Sequence, residues 1–476
     1  MKTPMIKAIA ITSASLFLGC LFNYCFWRQI PGLSFPVFVL AVIAVLVTLS
    51  SGLRNALSRA ALWLFVPLGF FSAMVAFRAS PPLILLDLLA SLMLLLLIAR
   101  LGTGGRLTSF NLMTYAKLPL LPLRFLAPLG RPLTEVLALR GFYKNQPLAA
   151  RVVKGIILAV PVLLVFLLLF ASADLIFQKY LMQLFNIHIN SITVFRTIII
   201  LFVAAAFTGA YAFIFGTTPE PAAATPADSR FNFGQVESSI LLGSVNVLFF
   251  LFILVQLAYL FGGTSNISAQ GFTYAEYARK GFFELIAVAV IAFAMLWTAD
   301  RTVTKTSRGH ARPFQLLSAA LIAPVLLIMV SAFKRLYLYE QAYGFTALRL
   351  YSHMFVVFLA VIFVLLLIKI LRNWAEHTFV FPAFITTVLF LAGLNLFNPD
   401  AFIARQNLDR FHQTGKLDGT YLGSLSPDAR FEINEALGAT TGQTHADIEA
   451  ALQAGALPIE HSKNWQSWNY SRTRPQ

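Results

Sequence analysis

Thirteen polar residues fall on what the charge pattern of the chain makes one side of a membrane, and their types suit the capture of an anion. They are Asp174, Glu276, Arg279, Lys280, Arg335, Tyr339, Glu340, Tyr343, Arg349, Asn398, Asp400, Arg405 and Asn407. A guanidinium fork matches phosphate or carboxylate with parallel hydrogen bonds. Arg279, Arg349 and Arg405 are therefore the expected anion or headgroup contacts, with Glu276 and Glu340 orienting them. A catalytic alternative makes Glu276 or Glu340 a base acting on a lipid-linked or envelope substrate at the same face.

Plainer roles exist for the same residues. Thr273 and Glu276 fit a capping box. Glu276, Lys280 and Glu284 are spaced four apart, an ion-pair ladder of roughly 0.2–0.5 kcal/mol per pair on a helix. That helix would run from near Tyr274 to Ala299, with its first part standing at or above the outer interface. Tyr337, Tyr339 and Tyr343 suit an aromatic belt. In a third reading the charges hold a C-terminal appendage on the bundle. Asp87 is a lone carboxylate deep in an apolar stretch. A buried acid needs a proton, water or a partner, so Asp87 is either a proton-coupling residue or a partner for Arg78 or Arg54. His353 reads as an interfacial polar residue.

No P-loop, HExxH, cysteine–histidine metal set or GxSxG occurs, so no catalytic residue, metal ligand or cofactor is assigned. Glycosyltransferases with polyprenyl donors usually carry acids in their first outer loop, whereas Arg28–Gly32 has none.

The elements that must position these groups are membrane spans. The chain is 58% hydrophobic and 12% charged, against about a quarter charged in soluble domains. About 20 helical residues cross a core of about 30 Å. Stretches of that length lie near 6–26, 34–51, 60–77, 82–99, 155–173, 194–215, 239–261, 282–299, 314–333, 350–370 and 379–397. In lipid each must be a helix, because no water is there to bond the backbone. The expected fold is all-α: a polytopic transmembrane bundle of about 11 spans with a small helical C-terminal appendage.

A net charge of +16 could suggest nucleic acid, but the basic residues sit between spans, as anchors facing anionic lipid do. No nucleic-acid partner is expected. With the N-terminus in the cytoplasm, about 20 bases fall inside and about eight outside; the segment 100–154 alone brings Arg100, Arg106, Lys117, Arg124, Arg131, Arg140, Lys144, Arg151 and Lys154. An odd span count leaves the C-terminus outside. Lys2 and Lys7 before Leu18-Gly19-Cys20 faintly resemble a lipoprotein signal, yet the apolar run continues to Phe26, so a retained first helix is expected. Cys20 and Cys25 share that helix and read as packing residues.

Four spans fill 1–99, and a basic interfacial segment lying on anionic cytoplasmic headgroups fills 100–154. Two spans follow in 155–216, then a Pro/Ala-rich linker expected to be disordered in 217–237, and five spans in 238–397. The tail, 398–476, is soluble and helical. Asn398-Pro399-Asp400, Ser426-Pro427-Asp428 and Thr444 open its helices, and Gly415, Gly438 and Gly455 close them. Trp465, Trp468 and Tyr470 suit a seat at the membrane interface.

Several stretches carry a resemblance. They include Glu237-Ser238-Ser239-Ile240, Leu257-Ala258-Tyr259-Leu260-Phe261-Gly262-Gly263, the segment Thr273 to Glu284, Tyr339-Glu340-Gln341-Ala342-Tyr343-Gly344 and Leu348-Arg349-Leu350-Tyr351. Asn395-Leu396-Phe397-Asn398-Pro399-Asp400, Ala404-Arg405-Gln406-Asn407 and Leu417-Asp418-Gly419-Thr420-Tyr421-Leu422 complete the set. Over about 237–426 the chain resembles a family of bacterial polytopic inner-membrane proteins known only as a domain of unknown function; Phe170-Ala171-Ser172-Ala173-Asp174 also fits. The resemblance implies a bacterial inner-membrane setting and no reaction. The function expected is transport, sensing or partner binding rather than catalysis, with the bilayer and its anionic headgroups as partners, and a protein or small anionic ligand at the outer face.

Overall fold

The computed structural model describes residues 2–53, 57–136, 191–216, 235–261, 282–302, 308–455 and 464–473. Among them there is no strand. Ten helices are long and apolar enough to cross a membrane. The expected span 155–173, the linker through residue 234, the Thr273–Lys280 stretch and Asp174 lie outside the described residues.

The first group of helices is α1 (Lys2–Phe26), α2 (Ser34–Gly52), α3 (Arg59–Phe77), α4 (Pro81–Gly102), α5 (Leu112–Ala116), α6 (Leu121–Val136) and α7 (Ser191–Gly216). Local chemistry sets their ends: the Ser58 hydroxyl accepts from the Ala61 N–H at 3.2 Å, and Pro81 opens α4, where its missing N–H costs nothing. One apolar core joins α1–α4 and α7 through Leu18, Val42, Leu68, Phe71, Leu97 and Tyr211. Helix α6 turns Leu121 and Phe125 into that core and leaves Leu123 and Leu126 exposed.

The second group is α8 (Gln235–Phe261), α9 (Phe282–Thr302), α10 (Arg308–Tyr343) and α11 (Ala347–Leu371), packed around Leu296, Leu321, Val325, Phe363 and Leu366. Helix α12 (Glu376–Phe397) runs between the groups: Phe379 and Val380 belong to the second core, while Phe384, Val388 and Ala392 pack on the first. Helix α10 extends ten residues past the expected end at residue 333. Lys334 to Tyr343 are therefore helical turns and not a connection, because nothing in that stretch breaks a helix before Gly344, whose φ is +84°. At 36 residues α10 is about 54 Å long.

The rest comprises α13 (Pro399–Thr414), α14 (Gly419–Gly423), α15 (Arg430–Ala439), α16 (Gln443–Gly455) and α17 (Tyr470–Thr473). Asn398, at φ 54°, and Gly415, at φ 67°, bound α13, and Ala404, Leu408, Leu422, Ile433 and Ile448 form the small core of this region.

Candidate functional site

Tail residues meet the membrane helices at three turns on one face. At the α10–α11 turn, Asn407 accepts from the Phe345 N–H at 2.8 Å and donates to the Phe345 carbonyl at 2.9 Å. Arg410 donates to the Ala342 carbonyl at 2.7 Å, closing the end of α10, and the Tyr421 hydroxyl accepts from the Ala347 N–H at 2.8 Å, opening α11. At the α3–α4 turn, Asp428 accepts from the N–H groups of Ala79 and Ser80, both at 2.9 Å. Asn469 donates to the Val75 and Arg78 carbonyls, and Ser471 to that of Phe77. At the α1–α2 turn, the Trp468 carbonyl accepts from Leu33 at 2.8 Å and Ser467 accepts from Ile30 at 3.1 Å. Trp465 and Tyr470 lean on Tyr24 and Phe77.

Several of the residues expected to meet a ligand take part in these contacts or in neighbouring ones. Asn407 bonds both backbone groups of Phe345 at the turn. Arg349 donates to the Gly344 carbonyl, with its guanidinium 4.1 Å from the Tyr339 ring, and Tyr343 packs on that ring. Arg405 pairs with Glu432 inside the tail at 3.0 Å, and Asn398 caps α13 and donates to the Asp428 carbonyl. Arg335 is buried on α10. Asp174, Glu276, Arg279 and Lys280 lie outside the described residues.

Glu340 is different. It is 1% exposed, and its carboxylate lies 3.1 Å from His353 Nδ1. His353 Nε2 faces the Phe333 carbonyl at 3.1 Å. Since a carbonyl only accepts, Nε2 is the donor toward Phe333, and Nδ1 is the nitrogen that faces the Glu340 carboxyl. The pair sits in the wall of a groove of about 870 Å³ between α10, α11 and α12, lined by Met354, Val357, Phe390, Gly393 and Phe397, with Tyr337, Gln341 and Gln406 at the same end. Sequence reasoning gave His353 no such partner, although the two residues flank the short turn between α10 and α11.

Beneath the α3–α4 turn lies an acidic centre. Asp87 is fully buried; Asn395 donates to it at 2.7 Å, and the Asn395 carbonyl accepts from Arg78 Nε at 2.8 Å. Asp87 Oδ2, Asn395 Oδ1 and Ser91 Oγ are buried without a hydrogen-bond partner. Tyr351 is within electrostatic reach of Asp87, Asp400 and Asp428. Burial pushes the Asp400 carboxyl above its ordinary value, Ser426 opposes that shift, and Asp428 adds to the rise. Burial lowers Arg472 from its ordinary value, while Asp428 opposes that shift.

At the opposite face Asp300 and Lys369 form a buried ion pair. Nearby, Glu376 lies 3.7 Å from Arg301 and accepts from the Leu112 N–H at 3.0 Å. Nothing in the sequence reading singled out this group, whose members look like ordinary span-end anchors. Among the described residues no group of three His, Cys, Asp or Glu is arranged to hold a metal ion.

The family model described as Domain of unknown function (DUF4153) matches residues 65–436. The chain belongs to this family. The DUF4153 match begins within α3 and takes in Asp87, Glu340, His353, Asn395, Asn407 and Asp428, and it ends before the 464–473 segment. No curated protein and no solved structure matches the chain. With ten apolar helices of spanning length among the described residues, the protein is a multi-pass integral membrane protein.

Proposed function

We propose that this protein has a non-enzymatic binding role at the tail-bearing face, taking an amphiphile with an uncharged or zwitterionic head. The chains of the ligand lie in the groove between α10, α11 and α12, and its head meets the polar end. The observation that carries this reading is a groove of about 870 Å³, apolar along its length, with the Glu340–His353 pair in its wall. Among the described residues no arginine or lysine lines this groove, so a polar pair in an otherwise apolar wall favours hydrogen bonding to a head of no net charge. Both His353 nitrogens face oxygen atoms of the bundle, which supports a holding role for the pair over the enzyme reading. Asp174, Glu276, Arg279 and Lys280 stay with this face on the charge tally alone.

The test uses phosphatidylethanolamine with a photoactivatable acyl chain, in nanodiscs holding the full-length protein. Labelling of α11 and α12 is expected, and Gly393→Phe should suppress it. A Cβ at Gly393 meets nothing within 4 Å, so the ring fills the groove rather than the core. Labelling unchanged by G393F overturns the reading.

A second reading, proton-coupled transport or sensing through Asp87, is favoured by the unpartnered Oδ2 of that buried carboxylate. An Asp87→Asn protein whose transport or conformational response keeps its pH dependence would exclude it.

We assign the face opposite the tail to the cytoplasm of a bacterial inner membrane, because Arg100, Arg106, Lys117, Arg124 and Arg131 gather there. Reporter fusions at the two termini should then report opposite sides, with the C-terminus outside.

A further inference from the structure

A second groove lies on the other side of α12, against α3, and its chemistry differs from that of the tail-face groove. Its volume is about 820 Å³. Trp63, Val66 and Phe70 of α3 face Phe384, Val388 and Ala392 of α12 across it. Among the described residues no acid lines it, and two arginines do: Arg59, the first residue of α3, and Arg106, beside the turn Leu107–Ser109. Both are exposed, and neither forms an ion pair among the described residues. The Ser58 and Thr108 side chains line the same end.

The dimensions narrow the occupant. From Arg59 to Phe70 helix α3 rises about 17 Å, and α12 rises about the same from Phe381 to Ala392, at 1.5 Å per residue. One leaflet is half of a hydrocarbon core of about 30 Å. The groove is thus one leaflet deep, apolar along its length and cationic at the end where a headgroup would lie. Two guanidinium forks at that end suit a phosphodiester.

We infer that this groove binds a single anionic phospholipid from the leaflet on the face opposite the tail. Its acyl chain runs between α3 and α12, and its phosphate bridges Arg59 and Arg106. Its cationic end is built from residues that do not line the tail-face groove.

Native mass spectrometry of the full-length protein in detergent, titrated with phosphatidylglycerol or with phosphatidylcholine of the same chains, tests this. The wild type should prefer phosphatidylglycerol by about tenfold, the equivalent of about 1.4 kcal/mol. The pair Arg59→Gln and Arg106→Gln should lose that preference, while Arg124→Gln, on α6 and outside the groove lining, should keep it. Ala392→Trp should weaken both lipids at this site, and glycerol 3-phosphate without chains should not compete. Equal binding of the two lipids by the wild type overturns the proposal. So does a preference that survives R59Q/R106Q, or competition by the chainless phosphate. Folding of each variant is checked by its thermal transition, and both glutamine changes fall on exposed side chains, so the arginine arm stands even where A392W fails to fold.

Discussion

Asp428 accepts a hydrogen bond from the Ser80 backbone N–H at 2.9 Å although 348 residues separate them in the chain. Its other oxygen takes the Ala79 N–H. A carboxylate from the tail thus satisfies donors at the start of α4, where Pro81 cannot contribute one. The tail is thereby part of the membrane bundle's own hydrogen bonding.

Asp428→Ala should therefore destabilise the whole chain. It leaves two buried N–H groups without an acceptor, at about 1–3 kcal/mol each. Thermal unfolding in detergent should show the loss, together with faster proteolysis between the tail and α12. A variant as stable as the wild type would mean that other acceptors replace the carboxylate.

The α10–α11 turn makes a second test. Gly344 has a φ of +84°, and a Cβ there would approach Asn407 Oδ1 to 2.6 Å. Gly344→Ala should thus cost both backbone strain and the Asn407 clamp, and Asn407→Ala should cost the clamp alone. Hydrogen exchange at Phe345 and Ala347 should accelerate in both variants, more in G344A. Unchanged protection in N407A would show that the amide does not hold the turn.

Asp400 sets a pH dependence whose sign is fixed by its environment. Burial, with Asp428 adding to the effect, raises its folded value above the ordinary 3.8, so the folded chain holds this proton more tightly than the unfolded one. The stability this group contributes is complete below the ordinary value and is lost as pH rises through the folded value. Asp400→Asn should accordingly be at least as stable as the wild type at pH 7, and any advantage should shrink on acidification. Thermal transitions measured at several pH values check this; a variant clearly less stable at pH 7 would refute it.

The Asp300–Lys369 pair predicts a non-additive result. Lys369→Met strands a buried carboxylate and should cost about 3–5 kcal/mol, whereas the double change with Asp300→Leu should recover much of that. If the double variant is as damaged as the two single losses added together, the pair is not what holds this corner of α9 and α11.

The spans were legible in the sequence because their cause is local. In lipid a segment must bond its own backbone, so length and apolarity along twenty neighbouring residues suffice. The helix starts at Asn398-Pro399 and the stop at Gly415 were readable for the same reason, since caps act within one turn. The end of α10 was not. Lys334 and Arg335 look like a boundary, yet the helix continues to Tyr343, where Arg410 and Asn407 from the tail meet its end.

What the sequence determined by itself was a multi-pass helical membrane protein, its family, and the types of residue available at each span end. What only the tertiary structure decided was which of those residues are already engaged. Arg349, Arg405 and Asn407 proved to be fastened to the turn or within the tail, Glu340 acquired His353, and Asp87 acquired Asn395 from 308 residues away. The reason is physical: a span that is apolar on every side carries no stripe to say which face meets which neighbour. The partner of a polar group within it is therefore set by packing alone.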